Sequence, residues 1–296
     1  MNQAASVPPH AMIPEPAAEV VYTARSEILH PDQAIRAMFR DLGASRELAW
    51  RLFIRDLSAH YRQSFLGYVW AFVPPLATTM TFVFLRSQGL FTTKATSIPY
   101  PAYVVIGMLF WQVFVDALHC PLKAVTAAKP LLSKVQFPPE AILLAGLGEV
   151  LFSFLIRLIL LAGVFVWYSL SPPLTVLLLP VAAASLLVLG FALGILVTPL
   201  GILYTDVTQA LTVITGFWLL LTPVTYPPSD SGLAGVLSRW NPVSPLLIAG
   251  REWVTVGASQ HLTGFVIVTL LSFVVLLAGW MAYRVAMPHL VARIGN

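Results

Sequence analysis

The stretch that most constrains this chain is residues 46–85, where a basic amphipathic segment runs directly into a long apolar one. At about 100° per residue, one helical stripe collects five apolar side chains: Trp50, Phe53, Ile54, Leu57 and Tyr61. Arg51, Arg55 and Arg62 lie on a different face. Such a helix lies flat on a membrane surface. Residues 67–85 carry no charge and are long enough to cross a bilayer. The sequence therefore predicts an interface helix followed by a membrane span.

The composition places the whole chain among membrane proteins. Charged residues make up 10% of the 296 residues and hydrophobic residues 58%, whereas a soluble domain carries about 25% charged residues. The apolar runs are continuous and do not alternate at a period of two, which favours helices over a barrel. The net charge of +4 does not indicate a nucleic-acid partner, because its cations are spread along membrane flanks.

The apolar runs predict an all-α polytopic membrane protein with six transmembrane helices. The predicted spans are residues 67–85, 101–115, 141–168, 174–200, 207–223 and 262–283. Residues 1–43 are predicted to be a partly disordered cytoplasmic tail, residues 44–66 the interface helix, and residues 67–296 the six-span domain. Between the last two spans, residues 227–256 contain apolar runs too short to cross. They predict short re-entrant helices in the outer leaflet, with an interfacial loop as the alternative.

The positions of lysine and arginine predict the orientation of the spans. Twelve of the 17 lie before the first span, between the second and third, or after the sixth, and four lie on the opposite side. The side that is richer in these cations is expected to be cytoplasmic. Both termini are therefore predicted to be cytoplasmic, in agreement with an even number of spans.

The sequence shows no motif of an active site. It contains no glycine-rich phosphate loop ending in Lys-Ser or Lys-Thr, no His-Glu-x-x-His and no Cys-x-x-Cys. The single cysteine, Cys120, excludes an intrachain disulfide. We therefore expect no catalytic residue, no metal and no cofactor in this chain.

Two charged residues lie inside the third predicted span, Glu149 and Arg157. Eight residues of helix separate them by about 12 Å along the axis, which is too far for a direct bond. Each needs another partner or a water-filled cavity. Asp116 is a further charge at the end of the second span, where the membrane interface can accommodate it. A proton relay would use such groups, but we favour their role as structural anchors between helices.

Residues 123–135 are predicted to form a short cytoplasmic helix that docks into a groove of a soluble partner, with a solvated connector as the alternative. A turn before the fifth span would give a smaller contact on the same side, through Asp206. The predicted contact residues of the helix are Lys123, Lys129, Leu131, Leu132, Lys134 and Val135.

Aromatic residues gather near the span ends, which is typical of a membrane-interface belt. Aromatic faces also stack on sugar rings and would give a polymer a non-specific track. Trp218 is the strongest candidate, because it lies deep in a predicted span. The full set of candidates for the lining of a channel is Tyr68, Trp70, Phe72, Phe217, Trp218 and Tyr226.

Short motifs over roughly residues 50–260 together resemble the permease subunits of ABC-2 type exporters, in the polysaccharide and polyol-phosphate branch. Their order and spacing carry the resemblance more than any single block does. The LTPVTYP block is more similar to O-antigen and teichoic-acid exporters than to capsule exporters. The blocks are RDL at 55–57, YRQS at 61–64, LG at 66–67 with Trp70, PPL at 74–76, GMLFW at 107–111, VQFP at 135–138, YTDV at 204–207, LTPVTYP at 221–227 and NPVSP at 241–245.

The resemblance implies a homodimer in the bacterial inner membrane, joined by two copies of a separate nucleotide-binding subunit that holds ATP and Mg. Residues 123–135 would be the coupling helix that contacts this ATPase. Spans one and five would line the path of a lipid-linked polysaccharide. The face of Arg51, Arg55 and Arg62 would guide the pyrophosphate of that substrate, or would only hold the headgroups of membrane lipids.

Other interpretations remain open at this point. The exported polymer could be a teichoic acid or a capsular polysaccharide. A proton-coupled secondary transporter would use Glu149, Arg157 and Asp116 as coupling groups, and would favour an internal sequence symmetry that the chain lacks. A membrane enzyme acting on a lipid-linked sugar would need Asp230 or Glu252 as a base at the outer face.

Overall fold

The computed structural model describes residues 38, 40–62, 67–90, 96–132, 138–228 and 232–294. Within these ranges the chain contains no strand, and an all-α architecture is confirmed. Two 3₁₀ helices, Gly67–Ala71 and Leu174–Leu178, precede the second and fifth α-helices. The α-helices of at least nine residues are α1 Arg46–Arg62, α2 Val73–Ser87, α3 Tyr100–Leu132, α4 Glu140–Trp167, α5 Leu179–Leu203, α6 Asp206–Leu221, α7 Gly232–Trp240, α8 Val243–Thr255 and α9 Leu262–Ile294.

Five helical segments in the described part of the chain are long and apolar enough to cross a membrane. They correspond to the first four predicted spans and the sixth, and the protein is a multi-pass membrane protein. The fifth predicted span corresponds to α6, which has 16 residues and is shorter than the roughly 20 that a bilayer core requires. The count of six spans therefore stays a prediction. The five segments are Val69–Ser87, Tyr100–Leu131, Glu140–Trp167, Leu174–Leu203 and Leu262–Met287.

The prediction of a separate helix at residues 123–135 is wrong in its first part, because α3 continues without a break to Leu132. Leu122, Val125 and Ala128 are buried, and their spacing of three extends the packed face of α3 beyond the predicted end of the span. This packing holds the helix together although Pro121 interrupts its backbone hydrogen bonding. Residues 133–137, which include Lys134 and Val135, lie outside the described residues.

The centre of the fold is the contact between α3 and α5. Small residues on α5 let the two backbones approach closely, as in other membrane helix pairs. A Cβ atom added at Gly194 would lie 2.3 Å from the carbonyl oxygen of Leu118, and one at Gly190 would lie 2.5 Å from that of Phe114. Glycine is therefore required at both positions for this separation of the helices.

The outer faces of α2, α4, α6 and α9 are apolar and exposed in the single chain. A soluble monomer rarely exposes so large an apolar surface, and lipid or a second protein chain would cover it. The exposed residues include Met80 and Phe84 on α2, Leu155 and Ile159 on α4, Val213, Ile214 and Phe217 on α6, and Leu270, Leu271 and Val274 on α9.

Two short helices, α7 and α8, follow α6 where the sequence predicts re-entrant helices. The α8 helix is part of the core, since Leu246, Leu247 and Val254 are fully buried. It packs against α3, α5 and α9. Whether α7 and α8 enter the outer leaflet stays a prediction.

The α1 helix packs against α4, and this contact divides the predicted apolar stripe. The Phe53 ring lies against the backbone at Gly148 and makes an edge contact with Phe152 at 6.5 Å between ring centres. Trp50 and Ile54 remain exposed. One side of the stripe therefore packs against α4, and the other side is exposed and can contact the membrane.

Candidate functional site

A cavity of about 540 Å³ with several charged side chains in its wall lies between α1, the first 3₁₀ helix, α3 and α4; we call it the α1–α4 cavity. Along α3 its wall runs from Asp116 to Ala128, which is about 18 Å of helix. The side chains of its wall that carry charge or can titrate are Arg55, Asp56, Asp116, His119, Cys120, Lys123, Glu149 and Arg157. Such a density of polar groups in an apolar chain indicates a functional site or a set of anchors.

The helical repeat of α1 explains which of its residues reach this cavity. Leu52, Arg55, Asp56 and Ala59 line it, at spacings of three, four and seven residues that share one helix face. Packing of Phe53 on α4 fixes the rotation of α1 and turns this face inward.

The deepest charge in the cavity is Arg157, whose side chain is 8% exposed. Its Nη1 atom lies 2.5 Å from Oδ2 of Asp116. Its Nε atom donates a hydrogen bond of 3.4 Å to the carbonyl oxygen of Ala71. Arg157 thus joins α4 to α3 and to the turn that precedes α2. This geometry agrees with the preferred interpretation of these charges as anchors between helices.

The other intramembrane charge, Glu149, also has a partner on α3. Its Oε2 atom lies 3.4 Å from Nζ of Lys123, whose side chain is 64% exposed. An exposed pair of this kind contributes only about 0–1 kcal/mol to stability. Arg55, the third cation of the cavity, contacts Asp56 at 2.7 Å. Arg55, Lys123 and Arg157 therefore each contact one carboxylate.

The structure places Arg51 and Arg55, two of the three arginines that the sequence groups together, in different environments. Arg55 lines the cavity and its side chain is 49% exposed. Arg51 is exposed and bonds to Glu47 at 2.7 Å, one turn earlier on α1. The side chain of Arg62 lies outside the described residues. Arg55, one of the residues predicted to guide the substrate, therefore lines the α1–α4 cavity, whereas Arg51 does not.

The predicted channel aromatics lie in different environments. Trp70 lines the α1–α4 cavity, and Phe72 beside it is half-buried. Phe217 points away from the chain on α6 and is 67% exposed. The side chain of Tyr68 lies outside the described residues.

Trp218 is held inside the single chain. Its ring meets Phe114 edge to face at 5.1 Å, and its Nε1 atom donates to Oδ1 of Asn241 at 3.0 Å. Tyr226, the last of the candidates, donates from its hydroxyl to the carbonyl oxygen of Leu220. Burial raises the pKa of the Tyr226 phenol above its ordinary value. A role of Trp218 in contacting a polymer would require these contacts to open.

The two segments predicted to contact a soluble partner are neighbours in space. Nζ of Lys129 donates to the carbonyl oxygen of Ile202 at 3.2 Å, four residues before Asp206. Asp206 is exposed at the start of α6, and Leu131 is half-buried at the end of α3. The side chain of Leu132 lies outside the described residues. One surface can thus include the end of α3 and the turn before α6.

A buried triad of Asp41, Glu140 and Arg284 was not predicted from the sequence. Arg284 contacts Asp41 at 2.6 Å and Glu140 at 3.5 Å, and all three side chains are almost fully buried. The triad joins the segment before α1 to the start of α4 and to α9. The sequence contained one signal for this triad: the three residues have opposite charges and lie at helix ends on the predicted cytoplasmic side.

Three of the motif blocks meet on the opposite side of the molecule. Asn241 of the NPVSP block donates from Nδ2 to Oγ1 of Thr222 in the LTPVTYP block, at 2.8 Å. Arg251 on α8 contacts the same block through two backbone carbonyls and passes beside Gly107 of the GMLFW block. Burial away from water lowers the pKa of the Arg251 guanidinium. From the sequence, Arg251 is only one of the four lysines and arginines on the side opposite the predicted cytoplasmic side.

Comparison with known proteins supports a resemblance to transport proteins. No protein-family model matches the chain. The O-antigen export system permease protein RfbA of Myxococcus xanthus is 28% identical over 214 residues, which are 71% of this chain and 81% of that protein. The chain resembles O-antigen export permeases. The resemblance to ABC-2 type permeases that the motifs indicated is thereby confirmed.

Two further relatives carry the same description, both from Klebsiella pneumoniae. They are 23% and 22% identical over 72% and 67% of this chain, and over 85% and 76% of their own lengths. All three relatives are described as permeases of an export system. This agrees with a transport role.

Proposed function

We propose that this chain is the membrane-spanning subunit of an ATP-driven ABC exporter, which moves a lipid-linked polysaccharide of the O-antigen type across the bacterial inner membrane. The observation that carries the proposal is the similarity to three O-antigen export permeases over at least 67% of the chain. The long apolar helices and their exposed outer faces support it.

The working exporter would contain two copies of this chain and two copies of a separate nucleotide-binding subunit, on which ATP and Mg are bound. The surface at Leu131 and Asp206 would contact that subunit on the cytoplasmic side, where both termini of the chain also lie. The bond between Lys129 and Ile202 supports this assignment, because it makes the two predicted contact segments one surface. The exposed apolar faces of α2 and α6 would border the polymer path.

The α1–α4 cavity would receive the charged end of the substrate. Its wall extends from the predicted cytoplasmic end of α3 to the depth of Asp116. Arg55 is half exposed at this wall, and its guanidinium has donors beyond those used by Asp56. Guanidinium groups bind phosphate oxygens strongly and with a defined geometry. Trp70 on the same wall offers an aromatic face to the adjoining sugar.

Deletion of the gene in its own bacterium tests the proposed function. We expect loss of the polysaccharide from the cell surface and accumulation of lipid-linked polymer inside, because synthesis continues without export. Re-expression of the chain should restore the surface polymer. Re-expression beside a nucleotide-binding subunit that cannot hydrolyse ATP should not. Unchanged surface polymer in the deletion strain would contradict the proposal, and loss of a different surface polymer would favour the teichoic-acid or capsule alternative.

Arg55→Gln tests the role of the cavity in substrate binding. We expect about tenfold more lipid-linked glycan to be needed for half-maximal stimulation of ATP hydrolysis by the reconstituted exporter, because one charge-assisted hydrogen bond to phosphate is lost. Arg51→Gln is the matched control, since Arg51 lies on the same helix but bonds to Glu47 outside the cavity. Equal shifts in the two variants would show that these arginines only hold α1 at the membrane surface.

A further inference from the structure

The segment between α6 and α7 contains a turn whose backbone needs hydrogen-bond donors from elsewhere. We call residues 222–226 the outer turn, because they lie on the side predicted to face the periplasm. Pro223 inside it and Pro227 after it supply no N–H group. Thr222, Val224 and Thr225 are almost fully buried. Buried carbonyl oxygens that are outside a helix must be bonded by side chains or water.

Three side chains bond four successive carbonyl oxygens of the outer turn. Arg251 donates from Nη1 to Pro223 at 3.0 Å and from Nη2 to Val224 at 2.7 Å. The hydroxyl of Tyr100 donates to Thr225 at 3.0 Å, and that of Tyr103 donates to Tyr226 at 3.2 Å. The donors come from two helices, α3 and α8. The conformation of the outer turn is therefore set by elements that are distant in sequence.

Arg251 also contacts α3 directly. Its guanidinium carbon lies 3.8 Å from the centre of the Tyr103 ring, an arrangement that attracts the cation to the ring face. A Cβ atom at Gly107 would lie 2.1 Å from Nη2 of Arg251 and 2.6 Å from the carbonyl oxygen of Val224. Glycine at this position of α3 leaves the space that the arginine and the turn occupy.

The same helix reaches the opposite side of the molecule. α3 runs from Tyr100 to Leu132, which is about 50 Å at the usual rise per residue. Near its other end, Lys129 bonds to the carbonyl oxygen of Ile202 beside the proposed ATPase-contact surface. Most of the length of α3 is buried, so the helix is packed against its neighbours between these two ends. One helix therefore contacts both the outer turn and the surface on which a nucleotide-binding subunit would act.

We infer that Tyr100, Tyr103 and Arg251 are positioning residues that attach the outer turn to α3, so that a displacement of the inner end of α3 also moves the turn and the helices α7 and α8 after it. The transport part of this inference rests on the proposed function. The attachment itself is a property of the fold and is measurable in the chain alone. These residues do not contact the α1–α4 cavity, so their role is distinct from substrate binding.

Hydrogen exchange measures the attachment without any partner subunit. In the purified chain, the double variant Tyr100→Phe/Tyr103→Phe should exchange the amide hydrogens of residues 224–226 at least tenfold faster, because two carbonyls lose their donors while both rings stay. Tyr168→Phe is the matched control, since Tyr168 directly follows α4 on the same predicted side and its hydroxyl is not among the four donors that bond the turn. The melting temperature of each variant checks that the chain is folded. Unchanged exchange in the double variant would overturn the attachment.

The ratio of polymer exported to ATP hydrolysed tests whether transport depends on the attachment of the outer turn to α3. In the reconstituted exporter, we expect the double variant to lower this ratio at least threefold, while ATP hydrolysis and the amount of assembled complex stay within twofold of the wild type. A merely structural role would lower assembly, hydrolysis and export together and leave the ratio unchanged. That result would overturn the inference that α3 transmits a displacement from its inner end to the outer turn. A wild-type complex that hydrolyses ATP without export would overturn the proposed function, and the exchange experiment would still decide the attachment.

Discussion

Replacing Asp116 with leucine is expected to lower the free energy of unfolding by about 3–5 kcal/mol, because Arg157 would then keep its charge in a buried position without a carboxylate. The two side chains are 28% and 8% exposed and lie 2.5 Å apart. Reversible unfolding in mixed detergent micelles measures the change. The loss should be among the largest for any single substitution outside the α3–α5 contact.

The double variant Asp116→Leu/Arg157→Leu is the control for this pair. It removes both charges at once and should recover most of the lost stability, since no charge is then left unpaired. Lys123→Met removes the exposed partner of Glu149 and should cost at most about 1 kcal/mol. If the double variant is as unstable as Asp116→Leu, packing of the two side chains and not their charges stabilises the contact.

The second large effect is expected at the buried triad. Arg284→Met would leave Asp41 and Glu140 buried as two carboxylates that have lost their shared cation. We expect a loss of about 3–5 kcal/mol and release of the segment before α1, where Met38 and Ser45 are also almost fully buried. Protease cleavage in residues 38–45 should become faster, which a general loss of stability in the spans would not produce selectively.

Arg239→Met is the matched control for Arg284→Met. Arg239 is an exposed cation at the end of α7, on the side opposite the triad, and its replacement should change stability by at most about 0.5 kcal/mol. The double variant Asp41→Asn/Arg284→Met should recover part of the stability by removing one of the two buried carboxylates that have lost Arg284. Equal cleavage rates in Arg284→Met and the wild type would mean that the triad does not hold the N-terminal segment.

Local sequence patterns predicted several helices closely. The third predicted span, residues 141–168, corresponds to α4 at Glu140–Trp167, and the sixth begins at Leu262 as α9 does. Apolar runs and the prolines that end them are local features, so their consequences are visible without a fold. The pattern failed at residues 123–132, because the polar residues there lie on the exposed side of a helix whose other side stays packed.

The sequence also showed that Glu149 and Arg157 cannot bond to each other, because helix geometry fixes their separation. It could not assign Lys123 and Asp116 as their partners, since that depends on how α3 and α4 are rotated about their axes. The same limit applies to Arg55 and Arg51. Both are basic residues of one amphipathic helix, and only the packing of Phe53 on α4 decides which of them faces the cavity.

By itself, the sequence determined the helical class, the course of the long apolar spans and the resemblance to export permeases, because these depend on composition and on the order of short motifs. Only the tertiary structure decided that Trp218 is bonded to Asn241, that a buried triad joins the segment before α1 to α4 and α9, and that two tyrosines of α3 donate hydrogen bonds to the outer turn. Tyr100 and Tyr103 lie more than 120 residues from the carbonyls they bond. Such contacts arise from the register of packed helices, which no local stretch of sequence encodes.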